Sequence, residues 1–232
     1  MNGRAITTSM LVVHHLNNSR SHRILWLLEE LELPYEIKRY ERDRETLLAP
    51  PSLRAVHPLG KSPVVTDGAD VPYPPATAEL HHEVEMVVAL AGGGRDIAPS
   101  LAETLIFGYG VGLDLTRRDL QAQAKAKGHP WDVAKAFDHS APVSALCPVE
   151  QGRPGPRTQL SLEVNEVLRQ QSTLDAMVHD VPSIIAALSK LFELKPGDLI
   201  FTGTPAGVAA LQRGDRFRAE LEGIAVLEGR VA

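Results

Sequence analysis

His81-His82-Glu83-Val84-Glu85-Met86-Val87-Val88 is the stretch on which the reading of this 232-residue chain turns. It is apolar-rich and reads as a β-strand, whose side chains alternate between two faces. Glu83 and Glu85 then point the same way, and Val84, Met86 and Val88 take the opposite face, toward a core. A second strand reads Phe107-Gly108-Tyr109-Gly110-Val111-Gly112-Leu113-Asp114. Its odd positions are all apolar or aromatic, and its even positions are three glycines followed by a carboxylate. Glycine inside a strand marks close approach by another backbone or by a ligand. A bare face that ends in Asp114 suggests a site. If Glu83, Glu85 and Asp114 converge, they cannot all stay ionised without a cation. Mg²⁺, Mn²⁺ or Ca²⁺ is the natural partner, because these ions prefer oxygen ligands. The spacing alone fits an exposed acidic strand face equally well.

The rest of the composition narrows the function classes. The length permits a substantial core in one or two domains. A net charge of -5 argues against a general nucleic-acid binder, which needs a basic surface. No apolar run approaches the roughly 20 residues needed to span a bilayer. Cys147 is the only cysteine, which excludes an intrachain disulfide and disfavours a thiolate zinc site. A cytoplasmic protein is expected.

Along the chain, residues 1–9 have no periodicity and read as a disordered extension. A strand is expected at Leu11 to His15, a polar loop and helix cap at Asn17 to Ser21, a helix over Ser21 to Leu31, and a strand over Tyr35 to Arg39. After a proline-broken stretch comes a short strand at Ser62 to Thr66. His14 and His15 read as a strand-edge feature. Three prolines within Val71 to Pro75 mark a domain boundary. Beyond it, Thr116 is expected to cap a helix over Arg117 to Lys127 that Gly128 closes. Thr173 to His179 and Pro182 to Phe192 read as helices. Gln159 to Val164, Val167 to Gln170, Leu199 to Thr202, Arg216 to Leu221 and Ile224 to Val231 read as strands, the last two turning at Gly223.

Met10 to Gly68 resembles the first part of the thioredoxin-like domain of bacterial glutathione transferases. The resemblance rests on His14-His15-Leu16-Asn17-Asn18-Ser19-Arg20-Ser21, Trp26-Leu27-Leu28-Glu29-Glu30-Leu31, Leu33-Pro34-Tyr35-Glu36 and His57-Pro58-Leu59-Gly60-Lys61-Ser62-Pro63. It implies that Ser19 or Ser21 would activate a glutathione thiol, and that Pro63 would present backbone to glutathione. The match stops at Asp67-Gly68. The Glu-Ser pair that grips the γ-glutamyl group does not follow, nor does the helical second domain. The expectation is therefore a partial thioredoxin-like βαβ segment over residues 10–68 that serves as a packing appendage.

Residues 71–232 resemble the fumarylacetoacetate hydrolase family, in its acylpyruvate and fumarylpyruvate hydrolase branch. The motifs are Tyr73-Pro74-Pro75, His81 to Glu85, Gly110 to Gln121, Pro130-Trp131, Ala134 to Asp138, and Pro196-Gly197-Asp198 through Thr202 to Val208. The resemblance implies an α+β fold with a mainly β core, a mixed β-sandwich roll with short helices. It further implies that Glu83, Glu85 and Asp114 bind Mg²⁺ or Mn²⁺. Arg118 and Gln121 lie three apart on one helix face and can look back at that metal. A 2-oxo acid could then chelate the cation, with Arg118 and Lys135 supplying positive charge, Gln121 a hydrogen bond, and Thr204 a contact to the carboxylate. Arg117 is assigned to solvent. Members of the family carry an upstream His and Glu that activate water, and residues 1–70 do not match that stretch. The expected activity is metal-dependent C–C cleavage of an acylpyruvate such as fumarylpyruvate, by a homodimer. The alternatives are a 2-oxo acid decarboxylase or isomerase on the same site, a glutathione-binding module, and an inactive fusion.

Overall fold

The computed structural model describes residues 11–19, 21–54, 56, 64–67 and 70–232. The expected N-terminal extension and Pro63 lie outside them. Two compact units divide at Asp70 and Val71.

The first unit contains β1 (Leu11–Leu16), α1 (His22–Glu30), β2 (Tyr35–Tyr40), the short α2 (Pro51–Arg54) and β3 (Val64–Asp67). β1 pairs parallel with β2 and antiparallel with β3, so it is the central strand and not an edge. His14 accordingly is buried, with Nδ1 at 2.8 Å from the Tyr40 hydroxyl. Ser21 stands at the N-cap of α1 without a side-chain cap bond. Its hydroxyl is spent on His15 Nδ1 and Ser19 Oγ, each at 2.7 Å.

The second unit is built on sheets. Its elements are β4 (Leu80–His82), β5 (Val84–Leu90), α3 (Pro99–Ala102), β6 (Ile106–Leu113), β7 (Thr116–Arg117), α4 (Arg118–Ala126), α5 (Asp132–Lys135), β8 (Cys147–Pro148), β9 (Gln159–Val164), β10 (Val167–Thr173), α6 (Val181–Leu191), β11 (Leu199–Phe201), β12 (Ala209–Ala210), β13 (Arg216–Leu221) and β14 (Ala225–Arg230). They form sheets ordered β11-β5-β6-β8, β10-β9-β13-β14 and β12-β4-β7. The main core lies between the first two. Val84, Met86, Val88 and Leu90 of β5 meet Tyr109, Val111 and Leu113 of β6, with Leu160, Leu162, Val164, Phe217, Ala219 and Leu221 opposite. Period-two alternation selects these residues, and their burial drives the sheets together.

Three local expectations change. Thr116 is in a strand and donates to the Asp114 carbonyl, so α4 begins at Arg118 without its hydroxyl. Thr173 ends β10, and only Leu174–Ala176 make a single 3₁₀ turn where a longer helix was expected. The next helix starts at Val181 because the Asp180 carboxylate accepts from Ser183 N–H at 2.9 Å, a working N-cap.

The glycine face of β6 is not an open floor. Gly108, Gly110 and Gly112 lie opposite Ala89, Val87 and Glu85. A Cβ at Gly108 would stand 2.3 Å from the Cys147 carbonyl oxygen, and one at Gly112 would stand 2.8 Å from the Phe201 ring and 3.0 Å from the Pro142 carbonyl oxygen. Of the two meanings of a strand glycine, close approach by backbone holds here. Gly108→Ala is expected to lower stability by about 2 kcal/mol or more in urea denaturation. Gly155→Ala, which meets nothing within 4 Å, should be close to neutral. Equal midpoints for the two variants would contradict this packing account.

Candidate metal centre

The expected single strand through Glu83 is broken at that residue. β4 pairs with β7, as Leu80 opposite Arg117 and His81 opposite Thr116, and β5 pairs with β6 from Val84 opposite Leu113. Two ladders thus meet at a corner that Glu83 and Asp114 interrupt. Asp114 N–H donates to the Glu83 carbonyl at 2.9 Å and fixes the corner. Glu85 enters from the second position of β5. One carboxylate oxygen from each of the three acids lies within 4.8 Å of the others.

Two cations bracket the acids. Lys135 Nζ is 2.8 Å from Glu83 Oε2 and 2.5 Å from Asp114 Oδ2. Arg118 Nη2 is 2.5 Å from Glu83 Oε1, and its Nη1 donates to Gln121 Oε1 at 2.6 Å. The helical spacing of Arg118 and Gln121 brings these two side chains into contact beside Glu83. Arg118 is aimed by its place at the start of α4, where its N–H donates to the Glu79 carbonyl. Asp119 beside it receives the Thr77 hydroxyl and Ala78 N–H. Arg117 is not a solvated charge: its guanidinium stacks 4.4 Å over the Phe137 ring, and its Nε is buried without a partner.

Glu85 is 5% exposed, and the only hydrogen bond to its carboxylate among the described residues comes from Gly203 N–H at 2.6 Å. Burial, with the Asp114 and Glu83 charges, pushes its carboxyl up to about 7, against that hydrogen bond and Lys135. Burial also raises Asp114, in spite of Lys135. For Glu83 the burial penalty is outweighed by hydrogen bonds from Lys135 and Arg118, so it stays below the usual carboxylate range. Burial would lower Lys135, but Asp114 and Glu83 hold it above its ordinary value, so Nζ keeps its proton. With all three acids ionised, two cations leave one negative charge uncompensated on hard oxygen donors. The residues fit a divalent ion on that chemistry.

Thr204 lies on the wall of a cavity of about 620 Å³, beside Gly203. Leu160, Leu174, Met177, Ile184 and Phe201 give the cavity its apolar lining. Ser19 and Ser21 are engaged with each other in the first unit, as described above. Sequence reasoning missed Gly203 N–H, His82 and Gln170. His82, 1% exposed, shares the even-numbered face of Leu80, Val84 and Met86, so alternation carried the signal for its burial. Its partner, Gln170, lies 88 residues away and left no local signal.

The fold and site define a sheet-dominated α+β protein with a carboxylate cluster of the kind that holds a divalent cation. The chain belongs to the fumarylacetoacetate hydrolase family: the family described as "Fumarylacetoacetate (FAA) hydrolase C-terminal" matches residues 35–232. That match begins inside the segment likened to glutathione transferases, so β2 and β3 fall within the family's extent. A fumarylpyruvate hydrolase of Ralstonia sp. is 44% identical over 167 residues, which cover 71% of this chain and 86% of that protein. An oxaloacetate tautomerase of Rattus norvegicus is 38% identical over 188 residues, 81% of this chain and 84% of the relative. The crystal structure of fumarylpyruvate hydrolase from Pseudomonas aeruginosa in complex with Mn²⁺ and pyruvate is 33% identical, with a TM-score of 0.69. It covers 100% of this chain and 94% of that one.

The raised Glu85 carboxyl has a measurable sign. Below about pH 7 it carries a proton that a cation must displace, so Mn²⁺ affinity should rise from pH 6 to pH 8. At pH 6 about one proton should be released per ion, seen by calorimetry in buffers of different ionisation enthalpy. Affinity independent of pH would contradict the raised Glu85 carboxyl as the proton that the cation displaces.

Proposed function

We propose that this chain is a metal-dependent hydrolase that cleaves a C–C bond in an acylpyruvate such as fumarylpyruvate. The observation that carries the reading is the cluster of Glu83, Glu85 and Asp114 oxygens within 4.8 Å, bracketed by Lys135 and Arg118. Glu83, Glu85 and Asp114 would hold a divalent cation, Mg²⁺ or Mn²⁺, which would supply Lewis acidity toward a 2-oxo acid. Hydrolysis adds water oxygen to the acyl carbon and the C–C bond pair leaves as the enolate of pyruvate; of the two water protons, one ends on C3 of pyruvate and the other leaves with the carboxylic acid product. Lys135, which stays an ammonium, and Arg118 place positive charge where that enolate develops. Gln121 holds Arg118 in its orientation through the Nη1 bond. The cavity beside Gly203 and Thr204, apolar over Leu160, Leu174, Met177, Ile184 and Phe201, gives the acyl group room. A cytosolic homodimer is part of the same proposal; no helix among the described residues is long and apolar enough to cross a membrane.

A second reading is tautomerisation or decarboxylation of a 2-oxo acid such as oxaloacetate. It is favoured by the state of the site's groups: Glu83, Asp114, Lys135 and Arg118 are all paired, and Lys135 keeps its proton. Such a site stabilises an enolate without activating water. It also agrees with the tautomerase relative at 38% identity.

One Mn²⁺-supplemented sample assayed on fumarylpyruvate and oxaloacetate separates the two. Loss of fumarylpyruvate enol absorbance is expected, and Asp114→Ala should slow it at least about 100-fold. Undiminished turnover by Asp114→Ala would remove the proposed metal role. Turnover of oxaloacetate alone would replace hydrolysis with the second reading. Lys135→Met should lower kcat by about 100-fold or more while Mn²⁺ still binds, because the group acts on developing charge. An unchanged kcat would remove Lys135 from catalysis.

A further inference from the structure

Gln170 makes four hydrogen bonds, and backbone groups fix its orientation. It is 1% exposed. Its Oε1 accepts from Val84 N–H at 3.2 Å, and its Nε2 donates to the Pro205 carbonyl at 2.9 Å. An amide N–H can only donate and a carbonyl oxygen can only accept, so the carboxamide cannot be turned over. Two consequences follow for its side-chain partners. His82 Nδ1, 2.7 Å from Oε1, must carry hydrogen. Thr204 Oγ1, 2.8 Å from Nε2, must accept. The hydroxyl proton of Thr204 is then directed away from Gln170, and among the described residues nothing accepts it. Thr204 faces the cavity and follows Gly203, the residue whose N–H holds Glu85.

The local chain is shaped for this. The register of β10 against β9 shifts between Leu168 and Gln170, a bulge at Arg169 that turns Gln170 inward from an otherwise exposed strand start. Gly207, at φ +104°, comes so close to that bulge that a Cβ would stand 2.3 Å from the Arg169 carbonyl oxygen. The bulge and the loop after Gly203 are therefore locked together around the amide.

We propose that Gln170 is a positioning residue that makes Thr204 an obligate hydrogen-bond donor to an anionic oxygen of the bound 2-oxo acid. This rests on the substrate class proposed above. The amide spans from His82 and Val84, on either side of the Glu83 corner, to the Thr204 loop, so it sets the distance between the carboxylate corner and the donor as well as the donor's direction.

The test is a double-mutant cycle on oxalate binding to the Mn²⁺-loaded protein, measured by calorimetry. Oxalate is a planar dianion that presents the oxygens of enolised pyruvate. Thr204→Val should weaken oxalate roughly 10- to 100-fold, the usual range for a hydrogen bond to a charged group, while Mn²⁺ affinity stays within about threefold. Thr204→Ser should retain oxalate affinity. Gln170→Glu, whose carboxylate would capture the Thr204 proton, should cost about as much as Thr204→Val, and the double variant no more than either alone. Gln170→Met runs the same cycle if Gln170→Glu does not fold. Additive losses, or parallel weakening of Mn²⁺ and oxalate in the Gln170 variants, would make Gln170 a structural brace and overturn the proposal. An unaffected Thr204→Val would overturn it too. If the wild-type Mn²⁺ protein binds no oxalate at all, the substrate class itself fails and the proposal falls with it.

Discussion

Three carboxylates crowded into one sheet corner are the constraint on which the rest of the second unit depends. Each is at least partly withdrawn from water, and their mutual repulsion must be offset for the fold to form. The chain supplies two cations from outside the corner, Arg118 at the start of α4 and Lys135 at the end of α5. Both short helices are held where they are so that these charges reach Glu83 and Asp114. Burial, with the neighbouring Asp114 and Glu83 charges, pushes the Glu85 carboxyl up to about 7; it receives neither cation directly, and the Gly203 N–H offsets only part of the rise. The same imbalance that burdens the folded chain makes the corner a good receptor for a divalent ion.

Much of this was legible in the amino-acid sequence because it is local. Period-two alternation put Val84, Met86 and Val88 in the core and the two glutamates on the other side, and helix periodicity paired Arg118 with Gln121. The convergence of Asp114 with Glu83 and Glu85 needed the antiparallel pairing of β5 with β6, which spacing alone does not specify. The break at Glu83 was hidden because a corner between two ladders leaves the alternation of a strand almost intact. Thr116 had the chemistry of a helix cap, but pairing of β7 with β4 took its backbone into a sheet. The Gln170 amide was invisible for a different reason: its partners lie 34 to 88 residues away.

The glycines of β6 illustrate how one pattern serves two ends. Their missing side chains admit the segment from Pro142 to Pro148: a Cβ at Gly108 or Gly112 would crowd the Cys147 or Pro142 carbonyl, and one at Gly110 would press on the Ser144 and Leu146 side chains. That segment continues from the turn after α5, so the close packing also anchors the chain that carries Lys135. The ladder that leads to Asp114 and the support of its counter-charge thus use the same bare face. In the first unit, the chain of Ser19, Ser21 and His15 satisfies the buried Ser21 hydroxyl at the start of α1.

The central claim is that Glu83, Glu85 and Asp114 form one divalent-cation centre. Anomalous diffraction at the manganese edge, from crystals grown with Mn²⁺, measures it directly. The account predicts one strong peak within about 2.0–2.4 Å of an oxygen from each of the three carboxylates. Manganese bound elsewhere, or no peak at this corner at saturating Mn²⁺, would contradict it.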